Sequence, residues 1–263
     1  MAARVWPVFV VYVLAFVAII AFTIVAAVAL RALYPDLAEA ELFSGLHGLL
    51  AGGVASSVAL GVTVLSVSRP LDATRLRLRP GRETGRDLVA IVVGTLTLGQ
   101  TLDSLTMLAS LGQRGTMAVI RQALQGAGGS DLFAAVLVIG IMAGAAEEVF
   151  FRGYMQTRLR EAWGPVQAIG VTALAFALLH LEWLHALLAL LLGLWLGFVT
   201  ERMRSALPSV AAHVINNTGF TVLTATFGSV TAFGPNVALA VGSATIFAVC
   251  VAFLARRAAP VGP

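Results

Sequence analysis

The stretch Leu132-Phe-Ala-Ala-Val-Leu-Val-Ile-Gly-Ile-Met-Ala-Gly-Ala-Ala146 carries no charge and then meets Glu147-Glu148-Val-Phe-Phe-Arg152. The apolar run predicts a membrane-spanning helix that ends on an acidic pair. A charge at the bilayer centre costs at least about 2.5–3.5 kcal/mol, so carboxylates kept inside a span point to function. Glu148 and Arg152 stand four apart with the acid N-terminal, the favourable order for a helical ion pair. Glu147 is turned about 100° away from Glu148 and has no basic residue at helical spacing. The spacing therefore predicts Glu148 held by Arg152 and Glu147 left free for chemistry. The bland alternative is an interfacial charge cluster where a helix leaves the membrane.

Outward from that stretch the chain keeps the same character. Of 263 residues, 59% are hydrophobic and 11% charged, and the mean hydropathy is +0.93. A soluble domain is only about 45–50% apolar. The fold class that follows is all-α, a polytopic membrane protein of about eight transmembrane helices. Apolar runs place them near 5–33, 44–67, 87–111, 132–160, 165–181, 184–201, 208–227 and 236–255. The fifth and sixth are short enough to form a re-entrant hairpin. Residues 1–131 read as three N-terminal spans around the core. Residues 132–227 read as the catalytic core, with its cavity among helices four to seven. Residues 228–263 read as the last span and a tail, and the whole is treated as one structural domain.

Charge sets the orientation. All 17 basic residues are arginine. They gather as Arg69, Arg75, Arg77, Arg79, Arg82 and Arg86 after the second helix, Arg152, Arg158 and Arg160 after the fourth, Arg202 and Arg204 after the sixth, and Arg256 and Arg257 after the eighth. The alternate loops carry Asp36, Glu39 and Glu41, then Arg114, Arg121 and Asp131, then Glu182. The positive-inside rule puts both termini in the cytoplasm of a multi-pass cell-membrane protein. Arg4 precedes an apolar run far longer than the roughly 7–15 residues of a signal-peptide core, so a retained first span is expected. The sequence pI of about 10.2 does not imply nucleic acid. No stretch interleaves basic residues with exposed aromatics as a single-strand platform does. Cys250 is the only cysteine, which excludes disulfides within the chain and cysteine metal clusters.

Two further apolar helices carry uncommon polar groups. His180 follows Phe176 by one turn, and His213 precedes Asn217 by one turn, with Asn216 beside it. Glu147 lies sixteen residues before Trp163 and His180 sixteen after Gly164. If the two helices form a hairpin about the Trp163-Gly164 turn, both groups stand about 24 Å from it and come level. Glu147 is five residues inside Arg152 and His213 five beyond Pro208, which places each about 7–8 Å inside a cytoplasmic marker. A carboxylate and a neutral imidazole at one water form a general-base pair. An amide and a second imidazole can stabilise the oxyanion of a tetrahedral intermediate. Glu147, His180 and His213 could instead hold Zn²⁺ with an open position for water. Against zinc, no HExxH occurs, since His180 and His185 are five apart. No GxSxG occurs either, which disfavours a serine hydrolase. His47 and His185 receive no role. Gly140/Gly144 and Gly193/Gly197 are GxxxG pairs that predict close helix approach.

Glu147-Glu148-Val-Phe-Phe-Arg152, Phe176-Ala-Leu-Leu-His180 and His213-Val-Ile-Asn-Asn217 resemble, in order and spacing, the EExxxR, FxxxH and HxxxN motifs of one family. It is the type II CAAX prenyl endopeptidases with their bacterial relatives, the CPBP (CAAX protease and bacteriocin-processing, or Abi) family. The resemblance covers about residues 132–220. It implies an eight-helix intramembrane endopeptidase with a conical cavity open to the cytoplasm, acting on a membrane-associated or lipidated peptide. It implies Glu147 and His180 as the water-activating pair and His213 and Asn217 as the oxyanion site. Glu148, Arg152, Phe176 and Asn216 support them, and no cofactor is needed. The family has also carried a metalloprotease label, in which Glu147, His180 and His213 are the zinc ligands. The implied partners are a peptide or protein substrate and the lipid bilayer, with no nucleic acid; oligomeric state is left open. Two other classes compete. Bacterial relatives include immunity proteins, so a non-catalytic scaffold is one. A transporter is the other, although the paired broken helices that mark transporters are missing.

Overall fold

A computed structural model describes residues 5–256. Arg4 and Arg257, used above as topology markers, lie outside the described residues. Within them every element is helical. In chain order these are α1 (Trp6–Leu33), α2 (Glu39–Ser44), α3 (Leu46–Val67), α4 (Gly85–Leu108), α5 (Gly115–Leu124), α6 (Gly129–Leu159), α7 (Pro165–Leu178), α8 (Trp183–Met203), α9 (Leu207–Phe227) and α10 (Phe233–Arg256). The chain is an all-α, multi-pass membrane protein.

All eight expected helices are present, and two short ones, α2 and α5, join them. Among the described residues, six helices are long and apolar enough to cross a membrane: α1, α3, α4, α6, α8 and α10. The other two differ for separate reasons. α7 has 14 residues, about 21 Å of helix, well short of the roughly 30 Å hydrocarbon layer. α9 has 21 residues, but Ser209, His213, Asn216, Asn217, Thr218, Thr221 and Thr224 interrupt its apolar surface. These two helices carry His180 beyond the end of one and His213 and Asn217 within the other.

Local chemistry sets several helix ends. Thr84 and Asp87 form a capping box at the start of α4, satisfying two N–H groups that a helix N-terminus leaves open. Pro165 opens α7 right after Gly164, where a missing N–H costs nothing. α6 is less regular. Val136–Ala143 and Val149–Gln156 are π-helical, and between them Gly144–Glu148 is α-helical. Both carboxylates of the acidic pair therefore sit on one short α-turn between two rare wide turns.

Two apolar clusters flank the site. One gathers Val8, Val11 and Ala15 of α1 and Leu60 and Val64 of α3 around Phe150, Phe151, Met155 and Phe176. The other joins Ile91 and Leu98 of α4, Trp195, Leu196 and Val199 of α8, and Leu254 of α10. The arginine-rich loop after α3 is tied down by backbone bonds. Arg82 N donates to Met203 O at 2.9 Å and Ala206 N to Arg77 O at 2.8 Å. Glu201 accepts from Arg77 at 2.7 Å, Arg160 at 3.0 Å and Gln156 at 3.0 Å. The loops after α3, α6 and α8 thus meet at one end of the bundle.

Candidate active site

Small residues first bring the helices close enough for the site to exist. A Cβ at Gly140 would stand 2.4 Å from Thr218 Oγ1, and one at Gly144 would stand 3.3 Å from the Val214 backbone. The first GxxxG is therefore the contact that brings α9 against α6, beside the acidic pair. The second serves a polar ladder. Arg152 Nη2 donates to Gly193 O at 3.0 Å, and Gln156 Nε2 donates to Gly197 O at 3.0 Å. Both partners step by four residues. Side chains at Gly193 and Gly197 would close the gap through which α6 reaches the α8 backbone.

On this frame the charges are ordered. Arg152 and Glu148 are both fully buried, and Arg152 Nη1 donates to Glu148 Oε1 at 2.6 Å. The pair expected from the spacing forms, and the Arg152 guanidinium also packs 4.9 Å over the Phe176 ring. His213 Nδ1 lies 2.9 Å from the same Glu148 oxygen. A carboxylate held by arginine only accepts, so Nδ1 carries the proton and Nε2 points onward. That second nitrogen stands 3.7 Å from Glu147 Oε2. The Glu147 side chain is 21% exposed against none for Glu148, so it is the more open of the two carboxylates. His213 bridges the two glutamates, a link the sequence reading does not contain.

His180 follows the end of α7. Its Nδ1 lies 3.0 Å from Phe176 O. A carbonyl only accepts, so Nδ1 bears the proton, and Nε2 of the neutral ring is left as an acceptor. The Phe176 ring meets His180 edge to face at 5.0 Å and His213 at 6.0 Å. Phe176 therefore lies against both histidines as well as Arg152. Among the described residues no hydrogen bond or ion pair joins His180 to Glu147; the basic group nearest Glu147 belongs to His213. Asn217 Nδ2 makes one long bond of 3.4 Å to Ile139 O in the first π segment. Asn216, whose direction the sequence leaves open, faces α4: a Cβ at Gly99 would stand 2.6 Å from its Oδ1.

Sequence reasoning also passed over His185. Its ring is 4.2 Å from that of His180, at 66°. The signal was the broken helix between them: five residues are no face of one helix, but a turn can close them. Among the described residues no three His, Cys, Asp or Glu side chains are arranged to hold a metal ion.

Residues 129–219 match the family of type II CAAX prenyl endopeptidase Rce1-like proteins. No curated protein and no solved structure matches the chain. The matched stretch runs from the first residue of α6 into α9 and holds Glu147, Glu148, Arg152, Phe176, His180, His185, His213, Asn216 and Asn217. The segment that builds the site is therefore similar to the type II CAAX prenyl endopeptidase Rce1-like family.

Proposed function

We propose that the protein is an intramembrane endopeptidase that hydrolyses a peptide bond of a membrane-associated or lipidated peptide with water activated by Glu147 and His180. The observation that carries this reading is the chain Arg152–Glu148–His213–Glu147, in which one carboxylate is locked and buried while its neighbour is open. Glu147 takes a proton from water as the water oxygen attacks the scissile carbonyl carbon. Nε2 of His180, an acceptor by its tautomer, takes a hydrogen bond from the same water and aims its lone pair. Glu147 then returns the proton to the leaving amine as the tetrahedral intermediate collapses to a carboxylic acid and an amine.

When Glu147 accepts the water proton, its negative charge passes to the oxyanion, to which His213 and the Asn217 amide are the donors. Glu201, near the end of α8, joins the arginine loops after α3 and α6 at one end of the bundle, which supports both termini facing the cytoplasm of the cell membrane.

The test is cleavage of a peptide library, including prenylated members, by the purified protein in detergent. Wild type and Glu147→Gln are run with and without a strong chelator. Cleavage lost in the variant and indifferent to chelator is the expected result. Retained cleavage by Glu147→Gln refutes the mechanism, and loss with chelator that Zn²⁺ restores replaces it with a zinc site.

A further inference from the structure

His185 lies next to the proposed site without a part in its chemistry. The chain between His180 and His185 is built to bring the two rings together. α7 ends at Leu178, and Leu181 takes a left-handed backbone with φ of 57°. That conformation costs a leucine roughly 1–2 kcal/mol. Glu182 N donates to His180 O at 2.6 Å, closing the turn. The Glu182 carboxylate then caps α8, accepting from Leu184 N at 2.9 Å and His185 N at 3.0 Å. Gly115 of α5, at φ of 66°, approaches so closely that a Cβ there would stand 2.6 Å from Glu182 Oε2. On an unbroken helix two residues five apart point about 140° away from each other. This turn sets their ring centroids 4.2 Å apart instead.

We infer that His185 is a positioning residue that holds the His180 imidazole in its working orientation. The inference rests on the protease reading above and goes beyond it. Three contacts fix the His180 ring: the Phe176 carbonyl at Nδ1, the Phe176 ring and the His185 ring. Without His185 the ring would keep only its two contacts with Phe176. Among the described residues no hydrogen bond joins the two imidazoles, so what His185 supplies is an aromatic wall. An edge-to-face contact of this kind is a defined geometry that another aromatic ring reproduces.

The experiment is steady-state cleavage by wild type, His185→Ala and His185→Phe, with Glu147→Gln as the blank and thermal unfolding as the folding check. His185→Ala lowers kcat about tenfold or more with KM within about twofold, because a group displaced by an ångström loses rate before it loses binding. His185→Phe recovers kcat to within about threefold of wild type, since the wall is restored. Should His185→Ala fail to fold, His185→Leu fills the same space without a ring and is compared with His185→Phe. Wild-type kcat in the ring-less variant overturns the inference. So does a Phe variant as slow as the Ala one, which would give His185 proton chemistry of its own. Those two results leave the protease reading standing; a wild type with no Glu147-dependent cleavage overturns both.

Discussion

Glu147 and Glu148 are neighbours with the same side chain, and the structure gives the same substitution opposite consequences at each. Glu148 is fully buried and its Oε1 receives both Arg152 Nη1 at 2.6 Å and His213 Nδ1 at 2.9 Å. Glu148→Gln keeps the shape but removes the charge that balances a wholly buried guanidinium. Breaking a buried pair by removing one partner costs about 3–5 kcal/mol. At about 2–4 °C per kcal/mol for a chain of this size class, the melting temperature falls by about 6–20 °C. Glu147 is partly exposed, and its contact with His213 is a long 3.7 Å. Glu147→Gln therefore costs no more than about 1 kcal/mol. Thermal unfolding in detergent, followed by tryptophan fluorescence, separates the two. The expected pattern is Glu147→Gln inactive but near wild type in stability, with Glu148→Gln inactive and strongly destabilised. Arg152→Met combined with Glu148→Gln recovers part of the loss, because the uncompensated charge goes and Phe176 keeps an apolar neighbour. A Glu148→Gln protein that melts within about 2 °C of wild type would refute the reasoning, since its buried charge would then be costing nothing.

Two other perturbations test how the site is built. Gly140→Ala places a Cβ 2.4 Å from Thr218 Oγ1 and 3.2 Å from Thr218 Cα. That overpacking costs about 1–3 kcal/mol and shifts α9 with its His213 and Asn217, so stability and cleavage fall together. An Ala variant that melts and cleaves like wild type would show that α6 and α9 do not need this approach. Glu201→Gln weakens the partly buried bonds to Arg77 and Arg160, worth about 1–2 kcal/mol together. Trypsin then cuts faster after the exposed Arg75 and Arg82 in the loop that Arg77 holds down, and an unchanged cutting rate would count against that anchor.

The parts of this site that were legible were those written as short spacings. Glu148 to Arg152 is one helical turn, and an acid before a base at that distance pairs whatever surrounds it. Gly140/Gly144 and Gly193/Gly197 state a steric fact about their own helix, and the structure supplies the partners: α9 for the first, α7 and the Arg152–Gln156 ladder for the second. The span count was less secure because hydropathy rewards apolar length alone. α9 gives up apolar surface to carry His213 and Asn217, and α7 stops short so that His180 can lie at a turn. Length makes α7 weak as a membrane span, and polar groups make α9 so.

What could not be read required tertiary contact. The bond from His213 to Glu148 joins residues 65 positions apart, and nothing local announces it. The π segments leave no clear mark in the residues either, yet they bear directly on the acidic pair. Glu147 and Glu148 share one α-turn and diverge on it by about 100°. Here both reach the same imidazole, one at each ring nitrogen. The wide turns before and after Gly144–Glu148 rotate that short segment relative to the rest of α6, and such turns recur at functional sites because they re-aim side chains without breaking the helix. The i,i+4 spacing thus locks Glu148 on Arg152, and the turns of α6 aim the short segment so that Glu147 is left at the edge of the site.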